Sequence, residues 1–219
     1  MRTAELTVLC EGRTEMLFVE QVLRPHLSLY RVHARPQYLV GERGGIVPFD
    51  KLRAAHQRFV GNLRSHQFLT TMVDLYALRE FPGDERRSGE APVERVARIE
   101  GAMRERLPSP QFLPYVQLHE FEALVFVDLD ALSPEFPGED LAEVLRKLRT
   151  EVGALAPEEI DDSPRTAPSK RLIRVIPGYE ALKATAGAKI AGRIGLTRLR
   201  ESCPHFAAWL SRLEALAGG

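Results

Sequence analysis

The chain has 219 residues, of which 27% are charged and 44% hydrophobic, and its formal net charge is +0 at pH 7. This composition is typical of a folded protein with one good core, and it excludes a global field that would draw the protein onto nucleic acid or membrane. Two cysteines do not indicate a disulfide framework.

No segment reaches the roughly 20 apolar residues that a membrane-spanning helix needs, and the first residues carry no apolar signal region. We therefore expect a cytoplasmic protein with no membrane partner. Any polyanion would have to be bound locally, by a basic patch or by metal ions.

Apolar runs alternate with amphipathic stretches through the first part of the chain. Pro36 restricts the second predicted strand to a sheet edge or a bulge, and Pro25 is expected to disturb the last turn of the first helix. This alternation predicts an α/β fold, with a mostly parallel sheet flanked by helices. Strands are predicted at 5–11, 31–40, 68–73 and 112–118, and helices from Thr14, over 49–63 and over 93–107.

The chain after about residue 135 has a helical pattern, with an apolar stripe over 141–152, a proline-containing loop over 156–170 and a last helix that begins at Pro204. We expect an α/β core over residues 1–135 and a helical C-terminal extension over residues 136–219 that packs on it, the two forming one compact unit.

Carboxylates follow three of the predicted strands. Glu11 closes the first and Asp74 the third, while Glu120 and Glu122 follow the fourth. Ligands of open α/β sheets bind beyond the carboxyl ends of the strands, and Mg²⁺ prefers hard oxygen ligands with few carboxylates. The pattern predicts that Glu11, Asp74 and one or both of Glu120 and Glu122 bind Mg²⁺ or Mn²⁺. The alternative, a surface acid at a loop, is favoured for one such residue but not for three together.

Segment 120–127 fits two structures. In a strand Glu120 and Glu122 share a face, whereas in a helix His119 and Glu122 do. His119 is then either a ligand, a group that orients a carboxylate from behind, or a structural residue. Glu15 either extends back toward Glu11 or stabilises the start of the first helix.

Two basic stretches are candidates for contact with a polyanion. Lys170 and Arg171 either neutralise a phosphate near the carboxylates or form a solvated helix start. Lys183, Lys189 and Arg193 either bind a nucleic acid backbone or are ordinary surface charges.

Two tyrosines are candidates for contact with a base. Tyr76 and Tyr179 either stack on a nucleobase or pack against the protein.

The run Cys-Glu-Gly-Arg-Thr-Glu at 10–15 resembles the first motif of the Toprim fold, the metal-binding domain of topoisomerases, primases and OLD-type nucleases. In that fold a glutamate closes strand one and an Asp-x-Asp pair closes the third strand. Glu11 matches the glutamate and Asp74 the first aspartate, but Tyr76 stands where the second would be. We expect Glu120 or Glu122 to supply the missing oxygen; otherwise a single metal binds firmly, or the site is catalytically weak.

A longer set of motifs resembles a family of uncharacterised prokaryotic Toprim-like proteins related to OLD nucleases, and it covers nearly the whole chain. The set includes Val-Asp-Leu-Tyr at 73–76 and the more specific Leu-His-Glu-Phe-Glu-Ala-Leu at 118–124. The resemblance implies a Mg²⁺-dependent phosphodiesterase that acts on DNA or RNA. It also implies an SMC-like or AAA ATPase partner encoded nearby, as in two-component anti-phage defence systems.

On this hypothesis Glu11, Glu15 and Lys170 carry catalysis, with Glu15 as a base or outer ligand and Lys170 as the group that stabilises phosphate charge. The alternative is a non-catalytic module that binds a metal or a partner at the same acidic edge and acts as a regulator. The neutral net charge and the incomplete aspartate pair favour that alternative modestly.

Overall fold

The computed structural model describes residues 3–42, 44–61, 63–137, 140–160 and 166–218. Its strands are β1 (Ala4–Cys10), β2 (Val32–Tyr38), β3 (Val47–Pro48), β4 (Gln67–Asp74), β5 (Leu78–Arg79), β6 (Phe112–Leu113) and β7 (Val116–Gln117). Its α-helices are α1 (Arg13–Phe18), α2 (Arg24–Leu29), α3 (Phe49–Val60), α4 (Pro92–Arg106), α5 (Ala142–Val152), α6 (Pro168–Val175), α7 (Tyr179–Ile194), α8 (Leu196–Ser202) and α9 (Pro204–Glu214).

The strands form a parallel sheet in the order β2-β1-β4-β6, and β7 also pairs with β4. The predicted α/β fold with a mostly parallel sheet is therefore confirmed. Strand β2 is an edge strand of this sheet, as expected from Pro36, which has no amide hydrogen to donate. A separate pair of two-residue strands, β3 with β5, was not predicted.

The predicted strand at 112–118 forms as two short pieces, because Pro114 between them lacks an amide hydrogen. The Thr71 side chain bridges the interruption. Its Oγ1 donates to the Tyr115 carbonyl at 2.7 Å and accepts from the Tyr115 amide at 2.9 Å. The sheet edge therefore continues to β7, which lies beside Asp74.

The first helix is continuous from Arg13 to Leu29, but it widens into a π-helical turn at Val19–Leu23. Pro25 follows this turn and donates no hydrogen bond, so the helix changes its bonding pattern there. The expected disturbance lies before the proline, and the last turn itself is α-helical.

Helices cover both faces of the sheet, which suits strands that are apolar on both sides. On one face α3 and α4 pack against Leu9 and Val73. On the other, α1 and the C-terminal helices pack against alternate residues of β1. There the indole of Trp209 stacks on Tyr115 at a ring-centroid distance of 4.2 Å, and its Nε1 donates to Thr70 Oγ1 at 2.9 Å. Residues from both sides of position 135 thus share one hydrophobic cluster.

The segment after β7 is neither the strand nor the α-helix considered above. His119 has a left-handed φ of 59°, Glu120 is extended, and Phe121–Val127 forms a 3₁₀ helix. No described helix combines the length and the apolar character that crossing a membrane would require.

Candidate functional site

Glu11 and Asp74 meet where the direction of strand addition changes. The chain passes from β1 to β2 on one side and later adds β4 on the other, so a crevice opens beyond the carboxyl ends of β1 and β4. Glu11 follows β1 directly and Asp74 is the last residue of β4. The Asp74 amide donates to Glu11 Oε2 at 3.1 Å. Two of the predicted metal ligands, Glu11 and Asp74, therefore lie next to each other.

A glycine loop after β2 lies against Glu11. The Gly45 amide donates to Glu11 Oε1 at 3.3 Å, so each carboxylate oxygen has a backbone donor. Gly44 has a φ of +65°, and a Cβ there would lie 3.2 Å from the Cα of Gly12. Glycine thus permits both the turn and the close approach.

Glu15 serves in both of the roles considered for it. Its Oε2 accepts a hydrogen bond from the Gly12 amide at 2.9 Å, which satisfies a donor at the start of α1. The side chain is also buried and lines the same cleft as Glu11. A carboxylate that caps the helix therefore lies within the acid cluster.

Glu120 and Glu122 enter the site from the segment after β7. The left-handed turn at His119 presents its carbonyl to the Tyr76 amide, 3.1 Å away, which ties this segment to the residues after β4. Glu120 is buried and its Oε2 accepts from the Ser169 amide at 2.8 Å. Glu122 is fully buried.

The His119 ring and the Arg171 guanidinium have contacts outside the acid cluster. His119 Nε2 lies 2.9 Å from the carbonyl oxygen of Glu158. Arg171 Nε donates to the Thr166 carbonyl at 2.7 Å, and its Nη1 pairs with Glu151 of α5. These contacts link His119 and Arg171 to neighbouring turns and helices.

The site residues line two adjoining clefts of about 590 Å³ and 340 Å³. We call them the acidic cleft and the side cleft. Both are lined by Glu11, Gly45, Asp74, Glu180 and Lys183. The acidic cleft is also lined by Glu15 and Glu122, and the side cleft by Tyr76, Glu120 and Lys170.

Lys183 is brought to the site by close packing of α7 on α1. A Cβ at Gly187 would lie 3.0 Å from Thr14 Cγ2, so glycine allows this approach, and Lys183 lies one turn earlier on α7. Lys183 Nζ is 3.3 Å from Glu122 Oε2. In contrast, Lys189 and Arg193 both pair with Glu135.

Burial and mutual repulsion raise the pKa values of Glu11, Asp74 and Glu122. Burial, together with the charge of Glu15, raises the pKa of Glu11 to about 8. Burial raises the pKa of Glu122 to about 7, against the opposing effect of Lys183. The pKa of Asp74 lies well above its usual value because of burial and then the charge of Glu11.

Lys183 remains a cation in this setting. Burial lowers its pKa, but the charges of Glu122, Glu120 and Asp74 outweigh burial and raise the pKa above its usual value. The site therefore combines several acids whose pKa values are raised with the positive charge of Lys183.

The donor set suits a hard divalent cation. Asp74 Oδ1 is buried without a hydrogen-bond partner, and neither Glu122 oxygen accepts a hydrogen bond, although the Lys183 ammonium lies nearby. Such oxygens are the ligands that Mg²⁺ prefers. Within the described part of the chain, however, no three His, Cys, Asp or Glu side chains are arranged to hold one ion. Binding of one ion by three of these side chains therefore requires side-chain rotation in the cleft.

Two contributors were not identified from the sequence. The contact of the Gly45 amide with Glu11 cannot be predicted from a side chain, because a backbone group makes it. Only the Gly-Gly pair at 44–45 indicates an unusual backbone conformation there. The sequence analysis did not distinguish Lys183 from Lys189 and Arg193 as the residue that reaches the site. Its four-residue spacing from Gly187, a small residue on the same helix face, is the signal that was available.

The fold and site define an α/β protein with a buried carboxylate cluster at the switch point of a parallel sheet. The chain belongs to the family described as "Domain of unknown function (DUF4276)", whose model matches residues 10–214. No curated protein matches the chain.

Two solved structures are similar. The C-terminal region of the Burkholderia pseudomallei OLD protein has a TM-score of 0.48 and 15% identity, over 99% of this chain and 100% of that chain. The C-terminal region of the Xanthomonas campestris pv. campestris OLD protein has a TM-score of 0.35 and 14% identity, over 94% of this chain and 96% of that chain.

Proposed function

We propose that this chain is a phosphodiesterase that cleaves nucleic acid with the help of Mg²⁺ or Mn²⁺. The observation that carries the proposal is the contact of Glu11 with the Asp74 backbone across the switch point, in a cleft that also contains Glu122 and Lys183. Glu11, Asp74, and Glu120 or Glu122 hold the metal in this proposal. A bound divalent ion supplies Lewis-acid polarisation of a phosphoryl group.

The protein's own groups provide binding, charge balance and proton transfer. The Lys183 ammonium lines both clefts and stabilises negative charge on a phosphate, while Lys170 adds a second cation at the side cleft. Glu15 Oε2 is engaged by the Gly12 amide, which leaves Oε1 as the atom that accepts a proton. Burial raises the pKa of Glu15, which favours that role.

Charge balance explains why the reaction should depend on a metal. The formal net charge is +0 and the cleft is rich in carboxylates, so a phosphate backbone is repelled locally by the protein alone. A divalent cation reverses the sign of the local field.

The sequence resemblance described above leads to two extensions of this proposal. We propose that an SMC-like or AAA ATPase encoded nearby presents the nucleic acid, and that the pair acts in anti-phage defence. Co-purification of the two proteins and stimulation of cleavage by ATP test the partnership. Unchanged cleavage and no association would contradict it.

A cleavage assay tests the activity. Plasmid DNA, single-stranded DNA and single-stranded RNA are incubated with the protein and Mg²⁺ or Mn²⁺, with and without the ATPase. Cleavage should require the metal and should fall by at least about 100-fold in Glu11→Gln and Asp74→Asn. Glu105→Gln is the matched control, because Glu105 is an exposed acid on α4 outside both clefts. Equal cleavage by Glu11→Gln, or none by the wild type under any condition, contradicts the proposal.

A second candidate is a non-catalytic module that binds a metal or a partner at the same edge. Tyr76 favours it, because a phenol at this position does not replace a carboxylate as a ligand for a hard cation. Mn²⁺ binding that requires Glu11, together with no cleavage by the wild type and its ATPase, would support this candidate.

A further inference from the structure

One wall of the side cleft is apolar and open to solvent. The large side chains of Ile46 and Tyr76 line it, and they are 56% and 46% exposed. Ile173 of α6 lines the same cleft. Exposed apolar side chains that line one concave surface indicate a binding site rather than ordinary surface.

The backbone fixes Tyr76 beside the carboxylates. Tyr76 lies two residues after Asp74, in the 3₁₀ turn Leu75–Ala77, and its amide donates to the His119 carbonyl at 3.1 Å. His119 is followed directly by Glu120. The exposed ring is therefore anchored between the two segments that supply acids to the site.

The other two apolar residues are anchored in the same way. Ile46 follows Gly45, whose amide donates to a carboxylate of the cluster. Ile173 lies one helical turn after Ser169, whose amide donates to Glu120 Oε2 at 2.8 Å. Ile46 and Ile173 are thus each close in the chain to an amide that binds a carboxylate of the site, and Tyr76 is held by the His119 carbonyl next to Glu120.

The side cleft also has positive charge and suitable size. Lys170 and Lys183 line it together with the apolar wall, and so do the acids Glu11, Asp74, Glu120 and Glu180, whose charge a divalent cation at the metal-binding edge would offset. Its volume of about 340 Å³ lies within the range of about 300–1,000 Å³ found for small-ligand sites. An occupant that matches these features offers a flat apolar face joined to an anionic group. A nucleotide with its base on Tyr76 and its phosphate toward the lysines and the metal-binding edge does so.

We propose that the side cleft binds an unpaired nucleobase next to the phosphate that is cleaved, and that the substrate is therefore single-stranded DNA or RNA. This inference rests on the proposed phosphodiesterase function. The faces of duplex bases are covered by their neighbours in the stack, so only an unpaired or extruded base can lie on the Tyr76 ring.

The test measures binding and cleavage separately. A 12-nucleotide single strand of DNA with one 2-aminopurine, the same sequence as RNA, and the DNA duplex are titrated with protein in Ca²⁺ and followed by anisotropy and 2-aminopurine fluorescence. Cleavage of the same oligonucleotides is measured in Mg²⁺ and Mn²⁺. The variants are Tyr76→Ala, Tyr76→Phe, which keeps the ring, and Tyr30→Ala, a tyrosine with 42% exposure outside both clefts.

The wild type should bind a single strand at least tenfold more tightly than the duplex and should quench 2-aminopurine. Tyr76→Ala should weaken single-strand binding about tenfold and abolish the quenching, whereas Tyr76→Phe should restore both. Tyr30→Ala should match the wild type. The DNA and RNA strands show which sugar the cleft accepts.

Single-strand binding by Tyr76→Ala that equals the wild type, equal affinity for duplex, or no binding of any oligonucleotide would overturn the inference. Metal-dependent cleavage that is insensitive to Tyr76→Ala would overturn it while the phosphodiesterase stands. Quenching that depends on Tyr76, without cleavage in any metal, would support the base site and contradict the phosphodiesterase.

Discussion

The two oxygens of Glu11 are already bonded to backbone amides, and yet the carboxylate resists ionisation. The Asp74 and Gly45 amides favour the charged form, while burial and Glu15 oppose it and prevail. A partly buried acid whose ionisation is opposed by burial and by a neighbouring carboxylate is a natural site for a cation, which relieves that repulsion. The sequence placed Glu11 correctly at a strand end but contained no signal for the amides that contact it.

The pH dependence of stability should change when Glu11 is replaced. Its pKa of about 8 in the folded protein lies above the unfolded value of about 4.5, so its stabilising contribution is full below pH 4.5 and is lost as the pH rises through 8. Glu11→Gln cannot titrate. In EDTA, thermal melts should show the stability of this variant rising relative to that of the wild type between pH 5 and pH 9, by up to about 4 kcal/mol. A difference that is constant with pH would contradict the raised pKa.

Lys183 should matter for phosphate chemistry but not for metal binding. Lys183→Met removes a cation that lies 3.3 Å from Glu122 and lines both clefts, so cleavage should fall by about 100-fold. Mn²⁺ affinity, measured by calorimetry, should not fall, because a competing positive charge has been removed. Lys189→Met is the control, since Lys189 lies on the same helix as Lys183 but pairs with Glu135. Equal losses in both variants would contradict this role.

At the scale of single elements, the strands were the most predictable part of the fold. Apolar and β-branched residues locate β1 and β4 to within one residue, as is typical of buried parallel strands. The edge strand β2, in which buried and exposed residues alternate at its start, was located to within about two residues. The β3–β5 pair was missed, since two residues are too short to show any periodicity. The segment after His119 was missed because its 3₁₀ helix follows from a left-handed residue that the sequence does not mark.

Gly187 is expected to control how α7 lies on α1. An added Cβ would meet Thr14 Cγ2 at 3.0 Å and the Phe121 ring at 3.4 Å, in a buried position. Gly187→Ala should therefore destabilise the protein by about 1–2 kcal/mol in urea unfolding, despite the better helix propensity of alanine.

Gly101 of α4 provides the matched control. A Cβ there meets only the flexible end of Arg104, 4.0 Å away, so Gly101→Ala should stabilise the protein by about 0.5–1 kcal/mol. If both substitutions stabilise the protein equally, α7 does not depend on close approach at Gly187.

At the scale of the whole molecule, the site draws on elements from both ends of the chain. Glu11 and Asp74 come from the sheet, while Lys183 comes from a helix of the C-terminal part. Local sequence patterns predict each element, but the docking of α7 depends on contacts between residues more than 100 positions apart, such as Thr14 and Gly187. Periodicity carries no information on such contacts.

A fragment of residues 1–135 should not fold by itself. Truncation removes Trp209 and Phe206, whose rings contact Tyr115 and Phe18 in the shared cluster, and it exposes that face of the sheet. Circular dichroism should show no cooperative thermal transition for the fragment. The full chain should show one, together with the blue-shifted fluorescence of its single buried Trp. Cooperative melting of the fragment would contradict the shared cluster and indicate an independent core.

Crystals soaked in Mn²⁺ and measured at an anomalous wavelength test the central claim most directly. The account predicts an anomalous peak in the acidic cleft, within ligand distance of Glu11 and Asp74 and of Glu120 or Glu122, and its disappearance in Glu11→Gln. A map with no peak there at millimolar Mn²⁺, or with Mn²⁺ bound only at other acids, would contradict it.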